Sequence, residues 1–169
     1  MKLVQEAKSL SRKLLTPHRA EHAHRVASLL GMATPEEMAA AYLHDILEDT
    51  KIGEEFLYSH FGEKVTEIVK SLTNPRSLCW STVRDFSHLK DASIEAKRIK
   101  LADRIDNIKK RVYGTVNNYN CAGYAAYAEE TENLLEILKD ADVVLANILG
   151  NLIVKLRNAC AKYEHGTIL

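Results

Sequence analysis

The sequence predicts an all-α protein, and two observations support that prediction. Apolar residues recur at intervals of three and four along nearly the whole chain, which places them on one face of a helix. Runs of strict alternation rich in β-branched residues, the pattern of half-buried strands, are absent from the sequence. At 169 residues the chain has the length of one ordinary domain, so we expect a single domain over residues 1–169.

The apolar spacing also predicts where the helices lie. The best-marked start is Thr34, which is followed by a proline at the first helical position and by Glu37, whose side chain can return a bond to the backbone of the cap. The expected helices cover the segment from Leu3 to Leu14, residues 20–31, residues 34–49, a short piece around 56–61, residues 65–72, residues 93–112, and two further helices between 124 and 161 that separate near 140–142. From residue 164 onward we expect a frayed end.

Two segments leave alternatives open. Residues 75–90 have weak periodicity, and we expect a connector there that borders the functional site, with Trp80 or Phe86 packed inward. This connector either closes over the site as a lid or stays beside it. The apolar segment over residues 143–156 either completes the core, which we favour, or forms the face of a homo-oligomer.

Charge and composition exclude several classes of protein. Apolar residues make up 46% and charged residues 27% of the chain, the balance of a soluble globular protein. Lysine and arginine together number 23, as do aspartate and glutamate, so no overall field favours nucleic acid or a membrane surface as a partner. The N-terminal segment carries charges every few positions, which predicts neither a signal peptide nor a membrane span and leaves a cytoplasmic location.

The three cysteines are Cys79, Cys121 and Cys160, far apart and outside any Cys-x-x-Cys pattern. Neither a disulfide framework nor a thiolate zinc site follows from that spacing. We expect ordinary buried or half-buried thiols.

The residues that carry chemistry begin on the helix expected over residues 34–49. His44 and Asp45 are followed one turn later by Glu48 and Asp49, and at 100° per residue the four span an arc of roughly 140°. The arc is either a solvated polar face or a binding site. The flanking alanines, leucines and isoleucine predict a buried helix, in which unpaired carboxylates are costly, and a bound cation would offset their repulsion. We therefore favour a site.

Two further segments resemble motifs of the HD superfamily of metal-dependent phosphohydrolases. Upstream, His22 is followed four residues later by Val-Ala, and downstream Asp103 lies in the run Lys-Leu-Ala-Asp-Arg. Taken alone, Asp103 is equally well a salt-bridge partner of Lys100 or Arg104. The resemblance implies a helical bundle of the HD type in which His22, His44, Asp45 and Asp103 hold one divalent metal ion.

The chemistry of these four ligands restricts the metal. Two imidazoles and two carboxylates suit manganese, iron, cobalt or zinc better than calcium, and ligand type does not choose among these four. Beside the family resemblance, we expect manganese. His24 points about 200° around the helix from His22 and is expected on the surface or behind the ligands.

Within the superfamily the chain resembles the hydrolase domain of Rel/Spo-type alarmone enzymes and the small alarmone hydrolases, which remove the 3′-pyrophosphate of (p)ppGpp. The run from Leu43 to Thr50, the Phe-Gly at 61–62, the Ser-Leu-Thr at 71–73 and the Glu-Glu-Thr at 129–131 carry the likeness. It covers roughly residues 16–138.

The resemblance also implies roles for individual residues. Glu48 and Asp49 would orient and deprotonate the attacking water. Asn107 would hold the nucleotide, and Lys100 and Lys110 would meet phosphates. His18 and Arg19 are further candidates for phosphate contact, although for His18 we favour a polar residue of the loop before its helix.

The chain departs from the family at two places. Residues 16–21 replace an aromatic-containing Pro-Tyr-Ile stretch, and Asn74 stands where the family has a lysine. Both lie where guanine and phosphates would be gripped. The hypotheses are therefore a hydrolase of (p)ppGpp, a nucleotidase acting on deoxynucleotides or another phosphorylated metabolite, and a nucleotide-binding module without turnover.

Overall fold

A computed structural model describes residues 2–74, 86–114 and 121–164, and the side chains as far as residue 161. The described residues form helices and no strand, which confirms the all-α prediction. The elements are α1 (Lys2–Leu14), α2 (Pro17–Leu29), α3 (Pro35–Leu43), α4 (Ile46–Asp49), α5 (Glu54–Leu72), a 3₁₀ helix (Ser87–Asp91), α6 (Ile94–Val112), α7 (Cys121–Leu138) and α8 (Val143–Glu164).

Helix α6 lies at the centre and packs against α2, α5, α7 and α8. Its apolar residues Ile99, Leu101, Ile105 and Ile108 are fully buried. Charged residues of the same helix are buried as well, namely Lys100, Asp103, Arg104 and Asp106. Because a buried charge is costly without partners, these side chains are paired, both along α6 and with charged residues of α2 and α7.

The helix expected over residues 34–49 begins as predicted and then breaks. The Thr34 hydroxyl accepts a hydrogen bond from the backbone N–H of Glu37. The prediction of one continuous helix is wrong, because α3 ends at Leu43 and Asp45 has φ −100° and ψ 0°. That bridge conformation lies outside the helical region and is often found at functional sites, and α4 resumes at Ile46.

Other boundaries differ by a few residues. Helix α2 starts at Pro17, which suits the first helical position, so the expectation that His18 precedes the helix is wrong. The two helices expected between 56 and 72 are joined in α5 across a kink at Gly62, whose φ of 81° favours glycine. Helices α7 and α8 separate near residues 140–142, as predicted.

Helix α8 completes the core, as favoured from the sequence. Leu145, Leu149, Leu152 and Leu156 are buried against α6 and α7. The stretch Val143–Ala161 is long and apolar enough to cross a membrane, a test that the core helix of a water-soluble domain also meets. Cellular location and oligomeric state stay predictions.

Part of the expected connector lies within the structure. Phe86 is buried and leads into the 3₁₀ helix Ser87–Asp91. Trp80 and Cys79 fall outside the described residues, as does any lid formed by residues 75–85. Cys121 and Cys160 are buried, in agreement with the expectation of buried or half-buried thiols.

Candidate active site

The four expected metal ligands converge where α2, α6 and the junction of α3 with α4 meet. His22, His44 and Asp45 offer ligand atoms that all lie within 4.8 Å of one another. Asp103 joins them from α6, with its Oδ1 3.1 Å from Nε2 of His22 and 4.0 Å from Nε2 of His44. His44 and Asp45, which are adjacent in the sequence at the break after α3, therefore both belong to this cluster.

The environment of His44 suits a metal ligand. Its Nδ1 lies 2.9 Å from the Ala41 carbonyl oxygen, which accepts a hydrogen bond, so Nε2 is assigned the lone pair. That Nε2 is buried and makes no hydrogen bond within the described part of the chain. A buried polar atom without a partner is costly, and a divalent cation is a partner that a neutral imidazole binds well. The donor set of this cluster thus fits a metal ion.

His22 is bound by a carboxylate at each ring nitrogen. Nδ1 lies 2.7 Å from Oδ2 of Asp106, and Nε2 faces Asp103. Burial by itself lowers the pKa of His22, but the bonds to Asp103 and Asp106 and the charge of Asp45 outweigh burial and raise that pKa.

Asp106 is a site residue that the sequence analysis missed. Its position three residues after Asp103 was the available signal, since residues so spaced share a helix face. Arg25 and Lys110 also bind this carboxylate. Burial acts to raise the pKa of Asp106, but the bonds from Arg25, Lys110 and His22 prevail and hold it well below its usual range.

The two expected water-activating acids lie in α4. Oε1 of Glu48 accepts hydrogen bonds from the backbone N–H of Asn74 at 2.6 Å and from its side-chain amide at 3.0 Å. Asp49 forms an ion pair with Arg19. Asn74, which the sequence analysis identified only as a departure from the family, thus holds the Glu48 carboxylate.

A cavity of about 260 Å³ opens beside the cluster, and its wall contains all five expected substrate contacts. The cations in this wall are paired with acids: Lys100 lies 2.9 Å from Asp103 and Lys110 lies 2.9 Å from Asp106. The side-chain amide of Asn107 donates to Asp103 at 2.6 Å. The lining residues are His18, Arg19, His22, Asp45, Glu48, Asp49, Asn74, Lys100, Asp103, Asn107 and Lys110.

His24 takes no part in the cluster. Its Nδ1 lies 3.1 Å from the Tyr42 hydroxyl, and the two rings are stacked. The helical spacing from His22 predicted this separation.

Proteins with similar amino-acid sequences are known. A protein of Danio rerio named guanosine-3′,5′-bis(diphosphate) 3′-pyrophosphohydrolase MESH1 is 29% identical over 134 residues, covering 78% of this chain and 74% of its own. An Aquifex aeolicus protein named guanosine-3′,5′-bis(diphosphate) 3′-pyrophosphohydrolase is 35% identical over 79 residues, covering 44% of this chain and 11% of its own.

Solved structures share the fold. A metazoan ortholog of SpoT, described as hydrolysing ppGpp, superposes with a TM-score of 0.71 at 22% identity, covering 99% of this chain and 96% of its own. Lmo0812 from Listeria monocytogenes EGD-e gives a TM-score of 0.65 at 21% identity, covering 81% of this chain and 99% of its own.

The family model of the HD domain matches residues 19–108. That range contains the four candidate ligands and both acids of α4. The chain belongs to the HD domain family.

Proposed function

We propose that this protein is a metal-dependent phosphohydrolase that removes the 3′-pyrophosphate of (p)ppGpp. Water would attack the 3′-pyrophosphate, and the products would be pyrophosphate with GDP or GTP. The observation that carries the proposal is the cluster of two imidazoles and two carboxylates beside a cavity whose wall also contains Glu48 and Asp49. The relatives from Danio rerio and Aquifex aeolicus, both named for this reaction, support the choice of substrate.

The metal would be held by Nε2 of His22, Nε2 of His44 and the carboxylates of Asp45 and Asp103. Imidazole with carboxylate suits manganese, iron, cobalt or zinc, and ligand type does not choose among them; Mn²⁺ is the first ion to test. When bound, such an ion lowers the pKa of a water molecule and neutralises charge on phosphoryl oxygens.

Glu48 and Asp49 would orient the attacking water and accept its proton at a carboxylate oxygen. Both are held before substrate arrives, Glu48 by the two bonds from Asn74 and Asp49 by Arg19. A carboxylate fixed in this way loses little conformational freedom in the transition state, which favours catalysis.

Substrate phosphates would be met by Arg19, Lys100 and Lys110, with His18 beside them, and Asn107 would hold the nucleotide. Each of the three cations is paired with a site carboxylate in the structure. A phosphate oxygen is a charge-assisted acceptor of the same kind, so binding would exchange one anionic partner for another instead of placing a bare cation in the cavity.

The test offers ppGpp, GDP, GTP and a panel of deoxynucleotides to the manganese-loaded protein in parallel. We expect pyrophosphate and GDP in equal amounts from ppGpp and no release from the others. Phosphate or triphosphate from the deoxynucleotides would favour the nucleotidase, and no turnover of any substrate would favour a binding module. The variant His44→Ala, loaded and assayed in the same way, controls for contaminating hydrolases.

A further inference from the structure

The Nδ1 atoms of the two candidate histidine ligands, His44 and His22, have different hydrogen-bond partners. His44 is bound through Nδ1 to a carbonyl oxygen of its own helix, three residues earlier. His22 is bound through Nδ1 to Asp106, which belongs to another helix and lies 84 residues further along the chain. The orientation of the His22 ring therefore depends on the packing of α2 against α6.

Both oxygens of the Asp106 carboxylate accept hydrogen bonds. Its Oδ1 accepts a hydrogen bond of 2.6 Å from Nε of Arg25. Its Oδ2 accepts bonds from Nδ1 of His22 at 2.7 Å, from Nη2 of Arg25 at 3.1 Å and from Nζ of Lys110 at 2.9 Å. The residue is only 5% exposed, so its rotation would break four bonds in a buried place.

We infer that Asp106 is a positioning residue for His22, which it holds in the one tautomer and ring orientation that present Nε2 to Asp45, Asp103 and His44. A neutral imidazole carries its proton on either nitrogen, and only the Nδ1–H form leaves Nε2 as a ligand atom. A carboxylate behind a metal-binding histidine selects that form and raises the basicity of the ligand. This inference rests on the metal ligands of the proposed function.

The test compares Asp106→Ala and Asp106→Asn with the unaltered protein by titrating each metal-free protein with Mn²⁺ and following the free ion by electron paramagnetic resonance. Asp106→Ala is expected to bind Mn²⁺ about 10–100-fold more weakly, since the Nδ1–H loses its acceptor. Asp106→Asn is expected to bind Mn²⁺ with an affinity between those of the unaltered protein and Asp106→Ala. Three of the four donors meet at Oδ2, so the amide oxygen takes that place and keeps the bond to His22.

A second readout reports the hydrogen bond itself. In the Zn²⁺-loaded protein, proton NMR should show a slowly exchanging Nδ1–H signal from His22, retained in Asp106→Asn and lost in Asp106→Ala. A merely structural role for Asp106 would not move this signal.

Glu37→Gln is the matched control, because Glu37 is also a buried carboxylate that binds an arginine and it contacts neither histidine in the described structure. We expect it to lower the melting temperature and to leave the Mn²⁺ affinity unchanged.

The outcomes separate the two proposals. If the unaltered protein binds no Mn²⁺, the proposed function fails. If it binds Mn²⁺ and Asp106→Ala binds equally well, only the role of Asp106 is overturned. If Asp106→Ala does not fold, the weakened affinity of Asp106→Asn together with the Nδ1–H signal supports the role, and absence of that signal from the unaltered protein overturns it.

Discussion

Two charge clusters on α6, each with at least one buried carboxylate, differ in their hydrogen bonding. Near the start of the helix, Arg98 places Nη1 2.7 and 2.8 Å from the two oxygens of Glu37, and its Nε 3.1 Å from Asp142. Further along, the cluster around Asp103 includes the buried Nε2 of His44, which makes no hydrogen bond within the described part of the chain. The first cluster is completed by protein atoms, whereas the second has a histidine nitrogen, 3.3 Å from Oδ1 of Asp45, that could bind a metal ion.

That difference separates a structural cluster from a functional one. Buried charges are tolerated when every oxygen and nitrogen has a partner, as around Arg98. A cluster that leaves a ligand atom bare lowers stability unless something binds there. Three sets of variants test this contrast.

The largest effect should come from His44→Ala or Asp103→Ala. We expect neither variant to bind Mn²⁺ at concentrations that saturate the unaltered protein, and turnover to fall to background, because a ligand is lost. His44→Ala is the cleaner change, since Asp103 also holds Lys100 and Asn107. Mn²⁺ titration provides the measurement.

His24→Ala is the control for that experiment, because His24 bonds to Tyr42 and not to the cluster. It should bind Mn²⁺ normally. Normal binding by Asp103→Ala would mean that the ligand set has another member.

The next effect concerns Glu48. Glu48→Ala should keep the metal and lose turnover by about 10²–10⁴-fold, the usual contribution of a general base. Mn²⁺ affinity and the rate of pyrophosphate release from ppGpp, measured on the same preparation, separate the two functions. The exposed Glu63→Ala should change neither quantity. Full activity in Glu48→Ala would refute the role proposed for this carboxylate.

Arg98→Ala is expected to have the smallest effect on function and a clear effect on stability. Removing this arginine leaves Glu37 buried without its cation, so the free energy of unfolding should fall by about 3–5 kcal/mol. Mn²⁺ affinity of the folded variant should be unchanged. Urea denaturation measures the loss.

Arg157→Ala removes an arginine of the same kind from an exposed pair with Glu132 and should cost less than about 1 kcal/mol. Equal losses in the two arginine variants would show that burial of Glu37 does not determine the outcome.

Much of the fold could be predicted because helix signals are local. Thr34 and its proline mark the start of α3, and the apolar spacing of residues 93–112 corresponds to α6. The break at Asp45 was not predicted, because the apolar residues on both sides of it keep helical spacing. A single residue in the bridge conformation depends on tertiary contacts, which helix propensity does not contain.

The residues of the candidate site also divide into those that could be predicted from the sequence and those that could not. His22, His44, Asp45 and Asp103 could be proposed because each lies in a short motif that the family resemblance identifies. Asp106 and Asn74 act across the fold, on His22 and on Glu48, and their partners lie 84 and 26 residues away. No local pattern reports a contact between such distant residues.

Sequence alone was enough to predict the helical class, the starts of α3 and α6 and the residue types able to bind a metal, because helical periodicity, capping and ligand chemistry are properties of neighbouring residues. Tertiary packing sets which nitrogen of each histidine faces the cluster, which carboxylates are held and by which partners, and where the helix before Asp45 breaks. These depend on how α2, α3 and α6 pack, because hydrogen bonds between distant segments form only when the core has placed their backbones together.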